Sequence, residues 1–319
     1  MRSLIYWFMI TLLLVFGSMF YIIKKYFTKD AIDLLLHANR KYLILSLLAL
    51  AMYHTFDNLR LFVLSRAVGL KYNFGYGYVI SLINTFGATI TPAHVGGEFI
   101  SFYTLMRKGG KLHKVMSVVT MKTLSGLSFF LLALPFAGYS LAQNPKKAVE
   151  LLSLLALAFF LTGVAYLILR YFLKKKSESS SLKSKLKYTL KRYAVFMRIY
   201  LRDRKISLFL SVVSSVLLYI SFLSIGSFLV LAFNEDVSFW EVLYTQLGLV
   251  YAIFMSPTPG GSGVGEVGAL SVFASFVDPE VLGLFAILWR FISQYLSATL
   301  GGLFLVLLAW KDLILKRST

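Results

Sequence analysis

Ser256-Pro257-Thr258-Pro259-Gly260-Gly261-Ser262-Gly263-Val264-Gly265-Glu266 is the stretch that decides the fold of this chain. Two prolines and four glycines in eleven residues cannot continue a helix, because proline lacks the amide donor and glycine gains too much freedom outside the helix. Apolar segments flank it, Phe239 to Met255 before and Val267 to Val277 after. Hydrocarbon cannot satisfy the N–H and C=O groups of broken backbone, so such a stretch must sit inside protein or against a polar cavity.

The rest of the chain is membrane-grade as well. Its 319 residues are 58% hydrophobic, with a mean hydropathy of +0.75. The runs Leu4 to Ile23, Leu151 to Leu169 and Ile206 to Phe233 carry no charge. About 20 such residues cross the ~30 Å hydrocarbon core at 1.5 Å per residue. The longest polar segment, Lys174 to Lys205, is too short for a separate catalytic domain. These features predict an all-α polytopic membrane protein of one domain. The net charge of +19 crowds into loops and forms no nucleic-acid-binding pattern. With no cysteine and four scattered histidines, thiolate chemistry and a metal site are not expected, and no cofactor is implied.

Moving outward, Leu4 to Ile23 reads as a first transmembrane helix rather than a signal peptide, since it is long and no small-residue cleavage site follows. Tyr42 to Leu64 is a second helix, on which His54, Asp57 and Arg60 share one face and read first as a structural ion pair. Phe74 to Thr91 ends in Thr91-Pro92-Ala93-His94-Val95-Gly96-Gly97-Glu98, and a short helix, Phe99 to Met106, follows. Val115 to Tyr139 spans with one charge, Lys122, and Val281 to Trp310 spans with one charge, Arg290. Between Arg170 and Lys205 stand thirteen basic residues against Glu178 and Asp203, which places this loop in the cytoplasm. Leu182, Leu186, Leu190, Tyr193, Met197 and Tyr200 recur there every three to four residues. They predict an amphipathic helix on the inner leaflet, with anionic lipids as its partners.

Two stretches of broken backbone occupy equivalent places. Glu98 to Glu266 and Lys122 to Arg290 are both offsets of 168, and in each unit acid and base lie 24 residues apart. Arg60, Arg66 and Lys71, with Arg107 to Lys114, place the first dip on the inside. The acidic turns Glu235/Asp236 and Asp278/Glu280 place the second on the outside. The prediction is about six full spans plus two oppositely oriented re-entrant helical hairpins forming an inverted repeat, which meet near the midplane as in inverted-repeat transporters. The expected organisation is a single membrane domain, 1–319. It divides into an N-terminal helix and loop (1–41), a first repeat (42–139), a connecting span and basic loop (140–205), an inverted second repeat (206–310) and a tail (311–319).

A carboxylate in the first turn of a helix gains only ~0.3–1 kcal/mol from the helix dipole. Burying a charge at the midplane costs ~2.5–3.5 kcal/mol or more. Glu98 and Glu266 therefore need Lys122 and Arg290, and these four are the candidate substrate-binding residues. Pro92, Gly96, Gly97, Pro257, Pro259, Gly260, Gly261, Gly263 and Gly265 shape the turns, and His54, Asp57 and Arg60 form a second tier.

At these residues the chain resembles the transmembrane flippase-like region of the lysylphosphatidylglycerol synthase family, which includes the membrane half of the multiple peptide resistance factor. The resemblance rests on the turn from Pro92 to Glu98 and on the Pro-Gly-Gly-x-Gly-x-x-Glu pattern from Pro259 to Glu266, each followed by a helix with a basic residue. Lys122 stands where the family typically shows an arginine-containing segment. The resemblance implies movement of an aminoacylated or other polar membrane phospholipid between leaflets of a prokaryotic cell membrane. Cations would hold its phosphate, and carboxylates its ammonium or coupled protons. In bifunctional members a soluble transferase domain follows; this chain ends at Thr319, so synthesis is not expected of it. Two other readings stay open: an ion- or proton-coupled carrier of a small solute, and a membrane subunit linked to phosphatidylglycerol lysyltransferase activity. Homo-oligomerisation is left open too.

Overall fold

The computed structural model describes residues 36–172, apart from 93 and 144, and residues 193–317, with scattered positions between 9 and 24. Asn39 starts the first helix, α1 (Arg40–Ala67), by accepting the Lys41 amide at 3.0 Å. Asn73 caps α2 (Phe74–Thr89) in the same way through the Gly75 amide, also at 3.0 Å. The Pro92 turn separates α2 from α3 (Val95–Arg107). The long helices α4 (Leu112–Gln143) and α5 (Pro145–Phe172) complete the first half.

The second half repeats this order with an extra break in each arm. It begins with α6 (Lys205–Phe233). The segment expected as one helix from Phe239 to Met255 is divided at Gln246 into α7 (Phe239–Thr245) and α8 (Leu247–Met255). The buried Gln246 amide donates to the Leu223 and Val242 carbonyls, both at 3.1 Å, which pins the break to α6. Beyond the proline–glycine stretch come α9 (Val264–Phe273) and α10 (Pro279–Arg290), the latter with proline at its favoured N-terminal position. A π-helical turn, Phe291–Tyr295, joins α10 to α11 (Leu296–Arg317) in place of the uninterrupted helix expected there.

Packing follows the two units. α1 lies along α6, where small buried serines allow close approach. Ser46 donates to the Ile225 carbonyl at 3.2 Å, and Ser211 reaches Ser125 on α4 at 2.8 Å. α2 packs on α11 as α8 packs on α4; α2–α3 matches α8–α9, and α3–α4 matches α9–α10. The two broken turns touch, for an isolated antiparallel bridge pairs Pro92 with Pro259. Neither proline has an N–H, so flanking backbone must supply any hydrogen bonds of that pairing.

Three helices among the described residues are long and apolar enough to cross a membrane: Leu112–Gln143, Lys205–Phe233 and Pro279–Lys311. α1 and α5, at 28 residues each, are of comparable length. By contrast α8 and α9, of 9 and 10 residues, are roughly 14–15 Å long and cannot cross by themselves. The chain is an all-α polytopic membrane protein. Most of the first predicted helix, Leu4 to Ile23, and most of the basic amphipathic segment lie outside the described residues. What is described of the latter, 193–202, is helical, and Tyr200 is buried with its hydroxyl on the Leu64 carbonyl at 2.8 Å. One assignment changes: Arg60, counted with the cytoplasmic charges, is buried inside the bundle because Asp57, one turn earlier, holds it there.

Candidate functional site

The site is built where α1, α2, α3 and α4 converge on the Pro92 turn. Asp57 Oδ1 on α1 accepts Arg60 Nε at 2.9 Å and Nη2 at 2.8 Å. Lys122 Nζ on α4 lies 3.6 Å from the same oxygen and 3.9 Å from Glu98 Oε1. With the Asn84 amide oriented to satisfy its neighbours, its oxygen accepts Lys122 Nζ at 2.7 Å and its nitrogen donates to the Gly97 carbonyl at 2.6 Å. Two carboxylates thus balance two cations. Glu98 Oε2 has no hydrogen-bond partner. This is where the first-unit pair and the second-tier Asp57 and Arg60 come together.

His54 does not join the cluster. Its ring bonds Ser81 at 2.9 Å and Ser297 at 2.7 Å, tying α1 to α2 and α11. The second-unit pair is together but sealed. Arg290 Nε meets Glu266 Oε1 at 3.1 Å, and Nη2 donates to the Gly260 carbonyl at 2.5 Å. Glu266 Oε2 accepts the Gly263 amide at 2.5 Å, and the Tyr295 hydroxyl donates to Oε1. Glu266 is 1% exposed and Arg290 0%. Gly260, Gly261 and Gly263 take φ of 59°, 66° and 83°, which lets the turn fold around this pair. A Cβ on Gly265 would come within 2.6 Å of Arg290 Cζ.

Two cavities meet at the first cluster. An inner chamber of about 120 Å³ lies between the hairpins, and Ser293 and Gln294 of the π turn reach its wall. A vestibule of about 590 Å³ opens sideways between α4 and α8, past Thr123, Leu127 and Met255. Arg60, His94, Glu98, Tyr219 and Phe254 line both. Lys122, Glu266 and Arg290 line neither. Leu127 and Met255 are 50% and 62% exposed, so the mouth of the vestibule is apolar while its floor is charged.

His94 holds the turn in an unusual state. Its φ of 59° makes it the one non-glycine in the left-handed region among the described residues. Its ring stacks on Phe254 of α8 at 5.0 Å, so one hairpin grips the other beside the charged floor. Sequence reasoning missed Asn84, His94, Tyr219, Phe254 and Gln294 as site residues. For Asn84 and Gln294 a signal existed, since amides in apolar spans are functional by default. Nothing in the sequence singled out the aromatic pair.

A membrane protein of the UPF0104 group from Archaeoglobus fulgidus is 25% identical over 263 residues, covering 77% of this chain and 80% of that protein. The family model for the transmembrane region of lysylphosphatidylglycerol synthase matches residues 8–301, a span that includes both proline turns and both acid–base pairs. This chain belongs to the lysylphosphatidylglycerol synthase transmembrane-region family.

Proposed function

We propose that the protein is a lipid flippase-like transporter, which moves an aminoacylated or other polar phospholipid between the leaflets of a prokaryotic plasma membrane and catalyses no reaction. The observation that carries this reading is the sideways vestibule, apolar at its mouth and floored by Arg60 and Glu98. A lipid headgroup can enter such an opening while its chains stay in hydrocarbon. Arg60, held by Asp57 through Nε and Nη2 and by Ser215 through Nη1, offers its remaining Nη hydrogens to phosphate. The free Glu98 Oε2 accepts an ammonium. The cluster is neutral as it stands, so a zwitterionic headgroup adds no net charge to the interior. In this reading the two hairpins are re-entrant from opposite faces, and the basic segment 170–205 rests on anionic inner-leaflet lipid.

The test is movement of a headgroup-labelled phospholipid in vesicles reconstituted with wild type or Arg60→Gln. Arg60→Gln should fold, because Asp57 keeps Lys122, and should move lipid at least tenfold more slowly. A well-folded variant with the wild-type rate removes this site. The inner chamber, about 120 Å³ in volume, favours a second reading, an ion- or proton-coupled carrier of a small solute. Solute uptake that is insensitive to closing the vestibule mouth at Leu127 would select it.

A further inference from the structure

A groove of about 410 Å³ runs between α3 and α4, lined by Val95, Phe99, Phe102, Met116, Val119 and Thr120, with Glu98 also in its wall. Val95 and Glu98 also line the vestibule, so the groove continues from the charged floor. We infer that this groove seats an acyl chain of the lipid whose headgroup occupies the vestibule, an inference that rests on the lipid reading above. The two units show why. At the offset of 168 that relates Glu98 to Glu266, Phe99 corresponds to Val267 and Phe102 to Leu270. In the second unit α5 packs on that face of α9. Leu154 lines one cavity with Val267 and Leu270, and Leu151 and Leu154 both approach Gly268. The protein there buries most of the face against its own leucines, and the cavity of about 540 Å³ left beside it also has Lys146, Lys147 and Glu150 in its wall, so it is not a plain apolar groove.

In the first unit no described helix does so. Val95 and Phe99 are 50% and 70% exposed. The length from Val95 to Phe102 is about 10 Å at the helical rise, enough for a stretch of methylenes to lie along it. Apart from Glu98 and the Thr120 hydroxyl its lining is apolar or thioether. Such a surface selects a hydrocarbon chain, and its continuity with the charged floor makes that chain part of the same molecule as the headgroup.

The experiment is photolabelling of the purified protein in phosphatidylcholine–phosphatidylglycerol vesicles carrying a trace of phospholipid with a diazirine in its acyl chain, followed by peptide mass spectrometry. Phe99, Phe102, Met116 and Val119 should carry at least fivefold more label than Leu131 and Leu134, exposed residues further along α4. Excess unlabelled phospholipid should compete with the groove label, and Thr120→Trp should remove it while sparing the controls. Equal labelling of groove and controls overturns the inference without needing any variant. So does a groove that takes no label, as a second copy seated on α3 would produce. Arg60→Gln separates the two readings. Selective groove label with wild-type lipid movement in that variant removes the headgroup site and leaves the groove; uniform label with Arg60-dependent movement removes the groove alone.

Discussion

Glu98 with Lys122 and Glu266 with Arg290 share a spacing of 24 residues and a place after a proline turn, yet they end in different physical states. The first pair is 3.9 Å apart, with Glu98 facing three cavities and one of its oxygens unpartnered. The second is 3.1 Å apart, and neither of its members lines the chamber or the vestibule. The difference has identifiable causes. Arginine has a fork that binds Glu266 and the Gly260 carbonyl together, whereas Lys122 is a point charge drawn between Asp57 and Glu98. At the same offset, Asp57 and Arg60 correspond to Ile225 and Phe228, so α6 brings no second ion pair. One acid–base pair has become a lock for its turn, and the other the floor of an opening.

The largest expected effect tests the lock. Arg290→Met leaves Glu266 buried without its counter-charge, and a buried pair broken in this way costs ~3–5 kcal/mol. The loss should appear as folded protein missing from size-exclusion chromatography, before any assay of transport. Gly265→Val should act likewise, since the Arg290 side chain occupies the space its Cβ would need. If Arg290→Met folds at the wild-type level, the two pairs are more alike than their burial implies.

The opposite outcome is expected at the floor. Glu98→Gln removes a carboxylate that is 32% exposed in its side chain, and Lys122 keeps Asp57 and Asn84. Thermal stability should change by no more than about 1 kcal/mol, as for a partly exposed pair. Transport of an ammonium-bearing lipid should fall about tenfold, while that of a purely anionic lipid should fall less. Equal losses for both lipids would place Glu98 in a structural role. A smaller effect is expected at Gly126, where a Cβ would approach Arg60 Nη1 to 3.1 Å. Gly126→Ala should slow transport several-fold, with the folded yield kept.

Composition was enough to read the class of fold, because twenty-residue apolar runs have few other uses. The two acid–base pairs were legible in the offset of 168, since glutamate after a proline–glycine turn is rare enough in an apolar chain to be counted. The ranking of the site was not legible. Equal spacing carries no information on depth, and which pair is sealed depends on α5 covering α9 and on Tyr295, which the π turn aims at Glu266. Asp57 and Arg60 were visible as neighbours on one helix face. That Asp57 meets Lys122, 65 residues further on, is a matter of tertiary packing alone.

The smallest stability effect should come from His94, where two contributions oppose each other. A side chain at φ 59° costs roughly 1–2 kcal/mol relative to glycine. The stack of its ring on Phe254 returns about 0.5–1.5 kcal/mol. His94→Gly removes both, so its melting temperature should lie within a few degrees of wild type. His94→Asn keeps a residue that tolerates the left-handed region but loses the stack, and should be the less stable of the two. If the histidine is retained for its grip between hairpins beside the charged floor, both variants should move lipid several-fold more slowly, whichever way stability shifts. A His94→Gly protein that is stabilised by more than 1 kcal/mol and transports at the wild-type rate would show that the ring contributes nothing there. The comparison of the two units would then rest on their charges alone.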